Sequence, residues 1–428
     1  MPTVMVSLSR YFTFAFSSLG VLLVWASAAS AAMLPENPVT RSAQAVRALQ
    51  VALGRKPASL HDLTREEFAR VPLTAADAQQ ARQLLWEYHV ARIRQERVEE
   101  LRTGVLPLDN HEMKFTVRKF GEAPATGRSL WFSLHGGGGT TPKINDGQWE
   151  NQKRLYRLEE GLYLVPRSPT NTANMWHQGH IDHMFDRLIE SLIVLENVDP
   201  DRVYVMGYSA GGDGVYQLAP RMADRFAAAA MMAGHPNDAS PLGLRNLPFA
   251  LQMGGKDDAY NRNGVARLWE KELARLQKED PKGYPHFVKI YENKGHWMDR
   301  EDRVALPWMA GHRRNPVPDR IVWRQAPVTH DRFYWLAVPP GQAKPGALVI
   351  VERKGNTIEI LKAEHVPQLL IRLDDRLMDL SQPVRVVLQG KTLFEGKVDR
   401  TIGTLVQTLA GRGDPKLVFE AEVRVEMK

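Results

Sequence analysis

The rhythm of apolar and polar positions changes twice along the chain. Residues 43–53 are rich in Ala, Leu and Arg and close at Gly54, as a helix does. A capping signal, Thr74-Ala-Ala-Asp77, then predicts a long helix through about Arg102, ended by Gly104. From Phe115 short apolar runs take over, at 129–134, 162–165, 203–206, 227–232, 249–253 and 287–291. Amphipathic stretches such as 183–196 and 266–277 lie between several of them. Near-continuous apolar strands separated by helices predict an α/β unit, a mostly parallel sheet covered on both faces. Beyond Asn315-Pro-Val-Pro318 the helical rhythm mostly stops. Short, often alternating runs around Val322 and at 333–338, 348–352, 357–361, 368–373, 384–388 and 417–425 predict a small β-sandwich-like domain. The expected organisation is a helical segment at 33–106, the α/β unit at 107–314 and a β-rich part at 315–428.

Residues 1–32 read differently. Arg10 supplies a positive start, 11–25 is an apolar run, and Ala26-Ser-Ala-Ala-Ser-Ala-Ala32 offers small-x-small cleavage sites. The run is short for a membrane span and is interrupted by Thr13, Ser17, Ser18 and Gly20. A signal peptide cleaved near Ala31 or Ala32 is expected, leaving no stable membrane insertion. The 428 residues contain no cysteine, which rules out disulfides, thiolate metal sites and a cysteine nucleophile. Export without cysteines points to a bacterial periplasmic or secreted protein. The net charge of +7 is spread along the chain without a basic block, so a nucleic-acid partner is not expected. Oligomeric state is not legible.

The candidate chemistry starts at Val203-Tyr-Val-Met-Gly207-Tyr208-Ser209-Ala210-Gly211-Gly212, an apolar strand running into G-x-S-x-G. That order describes a sharp strand-to-helix turn that lifts one serine hydroxyl above the sheet. A serine needs a base to take its proton and a third group to hold the base. Gly254-Gly255-Lys256-Asp257-Asp258 follows one later strand run, and Gly295-His296-Trp297 follows the next. Asp257 fits a G-x-x-D spacing, and Asp258 stands one residue away as the alternative acid. Negative charge on an acyl intermediate requires donors. The N–H of Ala210 and those of Gly136 and Gly137, in Trp131-Phe-Ser-Leu-His135-Gly-Gly-Gly-Gly139, are the candidates. No G-K-[ST] follows this glycine run and no G-x-G-x-x-G opens a helix, which argues against nucleotide binding.

Four motifs in this order, His135-Gly-Gly-Gly-Gly139, Gly207-Tyr-Ser-Ala-Gly211, Gly254-x-x-Asp257 and Gly295-His296, resemble the α/β-hydrolases. Over residues 115–312 the resemblance is nearest to the secreted polyhydroxybutyrate-depolymerase-like and feruloyl-esterase-like serine esterases. It implies attack by Ser209, proton shuttling by His296, an acid that orients His296, and an acyl-enzyme hydrolysed by water. No cofactor is implied. The expected substrate is a small-molecule or polymeric carboxylic ester. Trp176, His177, His235 and Trp297 are candidate pocket residues. His177, His180 and His183 are spaced by three, but on a helix they cannot share a face, so no metal is expected. A serine peptidase of prolyl-oligopeptidase type has the same triad order, although residues 33–106 cannot build its propeller. A non-catalytic binding protein on this fold is the remaining alternative.

Overall fold

The computed structural model describes residues 37–57 and 59–427; the expected signal peptide lies outside them. Three helices come first: α1 (Pro38–Gly54), α2 (Ala75–Glu96) and α3 (Val98–Thr103). The expected single helix from Thr74 is thus two. Arg97 breaks it at φ −120°, ψ 0°, where its guanidinium pairs with Glu190. Thr74 caps α2, its hydroxyl accepting the Asp77 N–H at 3.1 Å.

The central sheet has eight strands: β1 (Val105–Leu108), β2 (His111–Phe120), β3 (Arg128–Leu134), β4 (Gly161–Arg167), β5 (Val198–Tyr208), β6 (Ala228–Met232), β7 (Phe249–Gly254) and β8 (His286–Tyr291). Their spatial order is β1-β2-β4-β3-β5-β6-β7-β8. β1, β2 and β4 pair antiparallel, and from β4 to β8 every pairing is parallel. Between the strands run α4 (Pro142–Leu155), α5 (Gly179–Leu195), α6 (Ala210–Arg221), α7 (Arg262–Glu279) and, after β8, α8 (Ala305–Ala310). Successive residues of each strand face opposite sides, so the sheet fills two cores. Leu130, Phe132, Val205 and Leu251 pack with α5, α6 and α7. Trp131, Tyr163, Tyr204 and Met206 pack with Leu306 and Met309 of α8.

The C-terminal part holds two further sheets. One is ordered β16-β15-β13-β12-β9, from β9 (Arg320–Arg324), β12 (Leu348–Lys354), β13 (Thr357–Glu364), β15 (Val384–Leu388) and β16 (Lys391–Gly396). The other is β10-β11-β14-β17, from β10 (Arg332–Phe333), β11 (Leu336–Ala337), β14 (Gln368–Leu373) and β17 (Ala421–Glu426). The run at 333–338 is therefore a tight hairpin, turned at Tyr334 with φ 54°. A helix, α9 (Ile402–Arg412), lies where continued β structure was expected. It packs Ile402, Leu405 and Leu409 against Leu49 of α1, Leu85 of α2 and Leu60 of the short 3-10 helix Leu60–Arg65 between them.

The change of rhythm near residue 315 marks no break in packing. One apolar cluster runs from Leu134 through Trp323 to Val425. Buried charges cross the same boundary. Arg314 and Arg225 both meet Asp414, at 2.8 and 3.2 Å; Arg412 pairs with Asp224, and His330 reaches Asp182 at 2.7 Å. Among the described residues no helix is long and apolar enough to cross a membrane.

Candidate active site

The turn between β5 and α6 explains its own glycines. A Cβ on Gly207 would lie 2.2 Å from the Gly211 carbonyl oxygen, and one on Gly211 would lie 2.1 Å from that of Leu134. Backbones that close exclude any side chain. Ser209 itself sits at φ 56°, ψ −123°, a strained conformation for a residue with a Cβ. Its N–H donates to the Met232 carbonyl at 2.9 Å, which anchors the turn to β6.

The Ser209 hydroxyl lies 3.0 Å from His296 Nε2, and His296 Nδ1 lies 2.7 Å from Asp257 Oδ2. Asp257 follows β7, is 3% exposed, and has its other oxygen 3.5 Å from Arg262. Asp258 is exposed and makes no hydrogen bond to His296. The Asp257 carboxylate fixes the imidazole with its proton on Nδ1, leaving the Nε2 lone pair toward the serine. A hydroxyl so placed can lose its proton as it attacks a carbonyl.

Tyr208 sets the position of His296. Its hydroxyl donates to the His296 carbonyl at 2.6 Å and accepts the Met298 N–H at 3.1 Å. Burial pushes this phenol well above its ordinary pKa, so it stays a donor.

The glycine loop after β3 is held from below. His135 is fully buried, and burial lowers its pKa to about 4, so it is neutral near pH 7. Its Nε2 accepts the Ser168 N–H at 3.2 Å, which leaves the proton on Nδ1 to donate to the Gly136 carbonyl at 2.7 Å. The 136–137 peptide is trans, so the Gly137 N–H points opposite to that carbonyl. Gly137 takes φ 99°, open to glycine only. Asn145 of α4 accepts the Gly138 N–H at 2.8 Å and donates to Asn171 at 2.9 Å. Ala210 is the first residue of α6, where an N–H has no intrahelical acceptor.

A cavity of about 830 Å3 opens over Ser209. Gly136 and Gly137, Gln148, Asn151, Gln152 and Leu155 of α4, Tyr208, Trp297 and two arginines, Arg154 and Arg300, line it. No carboxylate does. Of the four candidate pocket residues only Trp297 is there, 49% exposed. Trp176 is a correction: it is 0% exposed, donates its indole N–H to the His135 carbonyl at 3.0 Å, and supports the glycine loop from the core. His177 and His235 are also absent from the lining. Burial lowers the pKa of His177 to about 4, and the His235 N–H is tied to Asp213 at 2.6 Å. His180 stacks on His111 at 3.9 Å, and His183 meets Asp109 at 2.5 Å. No cluster among the described residues has the geometry to hold a metal ion. The role of Tyr208 was hidden inside the motif, and α4, with few apolar positions, gave no sequence signal for its wall of amides.

Residues 166–306 match the family model of the dienelactone hydrolases. No curated protein matches the chain. Among solved structures, a thermostable esterase is 20% identical, covering 49% of this chain and 62% of its own, with TM-score 0.38. The chain thus spans under two thirds of that protein. A ferulic acid esterase is 16% identical, covering 48% and 94%, at TM-score 0.34. Est1E from Butyrivibrio proteoclasticus is 12% identical, covering 48% and 95%, at TM-score 0.33. The central sheet has the α/β-hydrolase fold, and residues 166–306 are similar to the dienelactone hydrolases.

Proposed function

We propose that this protein is an exported serine hydrolase that cleaves carboxylic esters through an acyl-enzyme. The observation that carries the reading is the hydrogen-bonded series Ser209–His296–Asp257, whose first two members line the cavity. In the proposed cycle His296 Nε2 takes the Ser209 proton as Oγ bonds to the ester carbonyl carbon. The oxyanion is met by the N–H groups of Ala210 and Gly137, the latter aimed by His135; Gly136 contributes the close approach of its backbone to Ser209. Collapse breaks the ester C–O bond, and His296 returns the proton to the departing alcohol. Water, deprotonated by His296, then releases the acid and restores Ser209. Export is supported by the charged, apolar and small-residue order of the first 32 residues.

A fluorophosphonate probe should label the wild-type protein and not Ser209→Ala. Turnover of p-nitrophenyl esters should fall by about 10⁴-fold in Asp257→Asn and stay near wild type in Asp258→Asn. Hydrolysis of aminoacyl-nitroanilides without ester turnover would refute the esterase reading. N-terminal sequencing of the protein recovered from cells should begin near residue 33.

A further inference from the structure

The space over Ser209 continues past the cavity already described. A second cavity of about 530 Å3 adjoins it, and Arg154, Leu155 and Arg300 line both. These side chains form the partition. The second cavity has an apolar floor, including Trp131, Leu158, Leu306 and Pro307. Its rim carries five arginines, Arg154, Arg157, Arg202, Arg300 and Arg303, against Glu159 and Glu160.

Much of that charge is uncompensated. Glu160 is held by Arg202 at 2.8 Å, and Arg157 rests over the Phe120 ring. Nearby acids are committed elsewhere: Glu150 to Lys153 at 2.6 Å, Asp299 and Glu301 to Lys294 at 2.7 and 2.9 Å. Arg154, Arg300 and Arg303 have no carboxylate within ion-pair distance among the described residues, whereas the arginines of the buried junction are all paired. Three like charges around one hollow repel one another and create a potential that attracts an anion. Arg300 is held there by a strained backbone. It takes φ 63° directly after Asp299 at φ 53°, in the loop that carries His296. Non-glycine residues keep such conformations where surrounding structure imposes them, often at functional sites.

We propose that the substrate is an elongated ester with a carboxylate at its far end. Its scissile carbonyl sits at Ser209, an apolar segment crosses Leu155, and the terminal carboxylate occupies the second cavity among Arg154, Arg300 and Arg303. The inference rests on the reading of Ser209 as nucleophile. Each cavity falls within the size range of small-molecule sites. A guanidinium suits the terminus because it pairs with a carboxylate through two parallel N–H groups.

The test compares three p-nitrophenyl esters: acetate, octanoate, and the monoester of suberic acid, which matches octanoate in length but ends in a carboxylate. We expect kcat/KM for the suberate to exceed that for octanoate by about tenfold at low salt, the effect of one or two partly exposed charge contacts. The advantage should shrink as ionic strength rises. Arg303→Glu should invert the suberate-to-octanoate ratio, and Arg303→Lys should keep its direction. A ratio measured within one variant is unaffected by any loss of folded protein. Equal or lower kcat/KM for the suberate, in an enzyme that turns over acetate, overturns the second cavity's role and leaves the Ser209 reading standing. No turnover of all three, with no fluorophosphonate labelling, overturns both.

Discussion

The hydroxyl of Tyr208 ties the turn that presents Ser209 to the loop that presents His296. One oxygen bridges the His296 carbonyl and the Met298 N–H, and the ring packs edge-on against the imidazole at 5.9 Å. Removing the oxygen alone leaves the ring and its burial in place. Tyr208→Phe should therefore lower kcat by about tenfold while KM changes little, because a misplaced base weakens the transition state more than the ground state. Steady-state kinetics with one ester reads the split. A rise in KM at constant kcat would instead make Tyr208 a substrate contact. At this scale the chain was only partly legible. Ser209, Asp257 and His296 each follow a recognisable apolar strand, so their order suggested their meeting. Trp176 reads as a pocket residue because it borders a histidine-rich stretch. Nothing local reveals that its ring fills the space beside Gly214, where a Cβ would lie 2.5 Å from its own.

The elements that hold the glycine loop are less visible than the loop. The parallel strands were readable because both their faces are buried, so their sequences run apolar almost throughout. α4 shows little of this, since it is mostly exposed and buries Asn145 and Gln152 to hold polar partners. α9 does carry a cap at Thr401 and apolar residues at helical spacing, but it lies among strands and packs on helices more than 300 residues earlier in the chain. Long-range packing of that kind leaves no local mark. The support beneath the loop has a pH consequence. An unfolded His135 would take up its proton near pH 6.5, the folded one only near 4. Acid therefore favours the unfolded chain: stability is full above about 6.5 and falls as pH drops from there toward 4. His177 adds to the same window. For His135 the loss amounts to about 3 kcal/mol, and Tm followed from pH 7 to 4 should show it. His135→Asn should flatten the decline; an unchanged slope would place its cause elsewhere.

Across the whole molecule, the α/β sheet and the two smaller sheets are joined by charges with no access to water. Asp414 is the hub, fully buried between Arg225 and Arg314, whose guanidiniums hold its pKa below the usual carboxylate range despite burial. Removing one member of such a group strands the others, at a cost of about 3–5 kcal/mol. Asp414→Ala should lose that much in urea unfolding, as one transition rather than two. A variant whose C-terminal sheets melt separately would show that the junction is not cooperative. The change of rhythm near residue 315 predicts a boundary there, but packing and charge run across it.

That junction also sets a timetable. A ribosome makes Asp224 well before its partner Arg412, which follows 188 residues later. At roughly 5–20 residues per second, the earlier carboxylate waits about ten to forty seconds for its counter-charge. Throughout that interval the part bearing Ser209 is in hand while its buried Asp224 lacks a counter-charge. The nascent chain is thus kept from finishing early, a delay that would suit the export proposed above, in which a chain crosses a membrane before it folds.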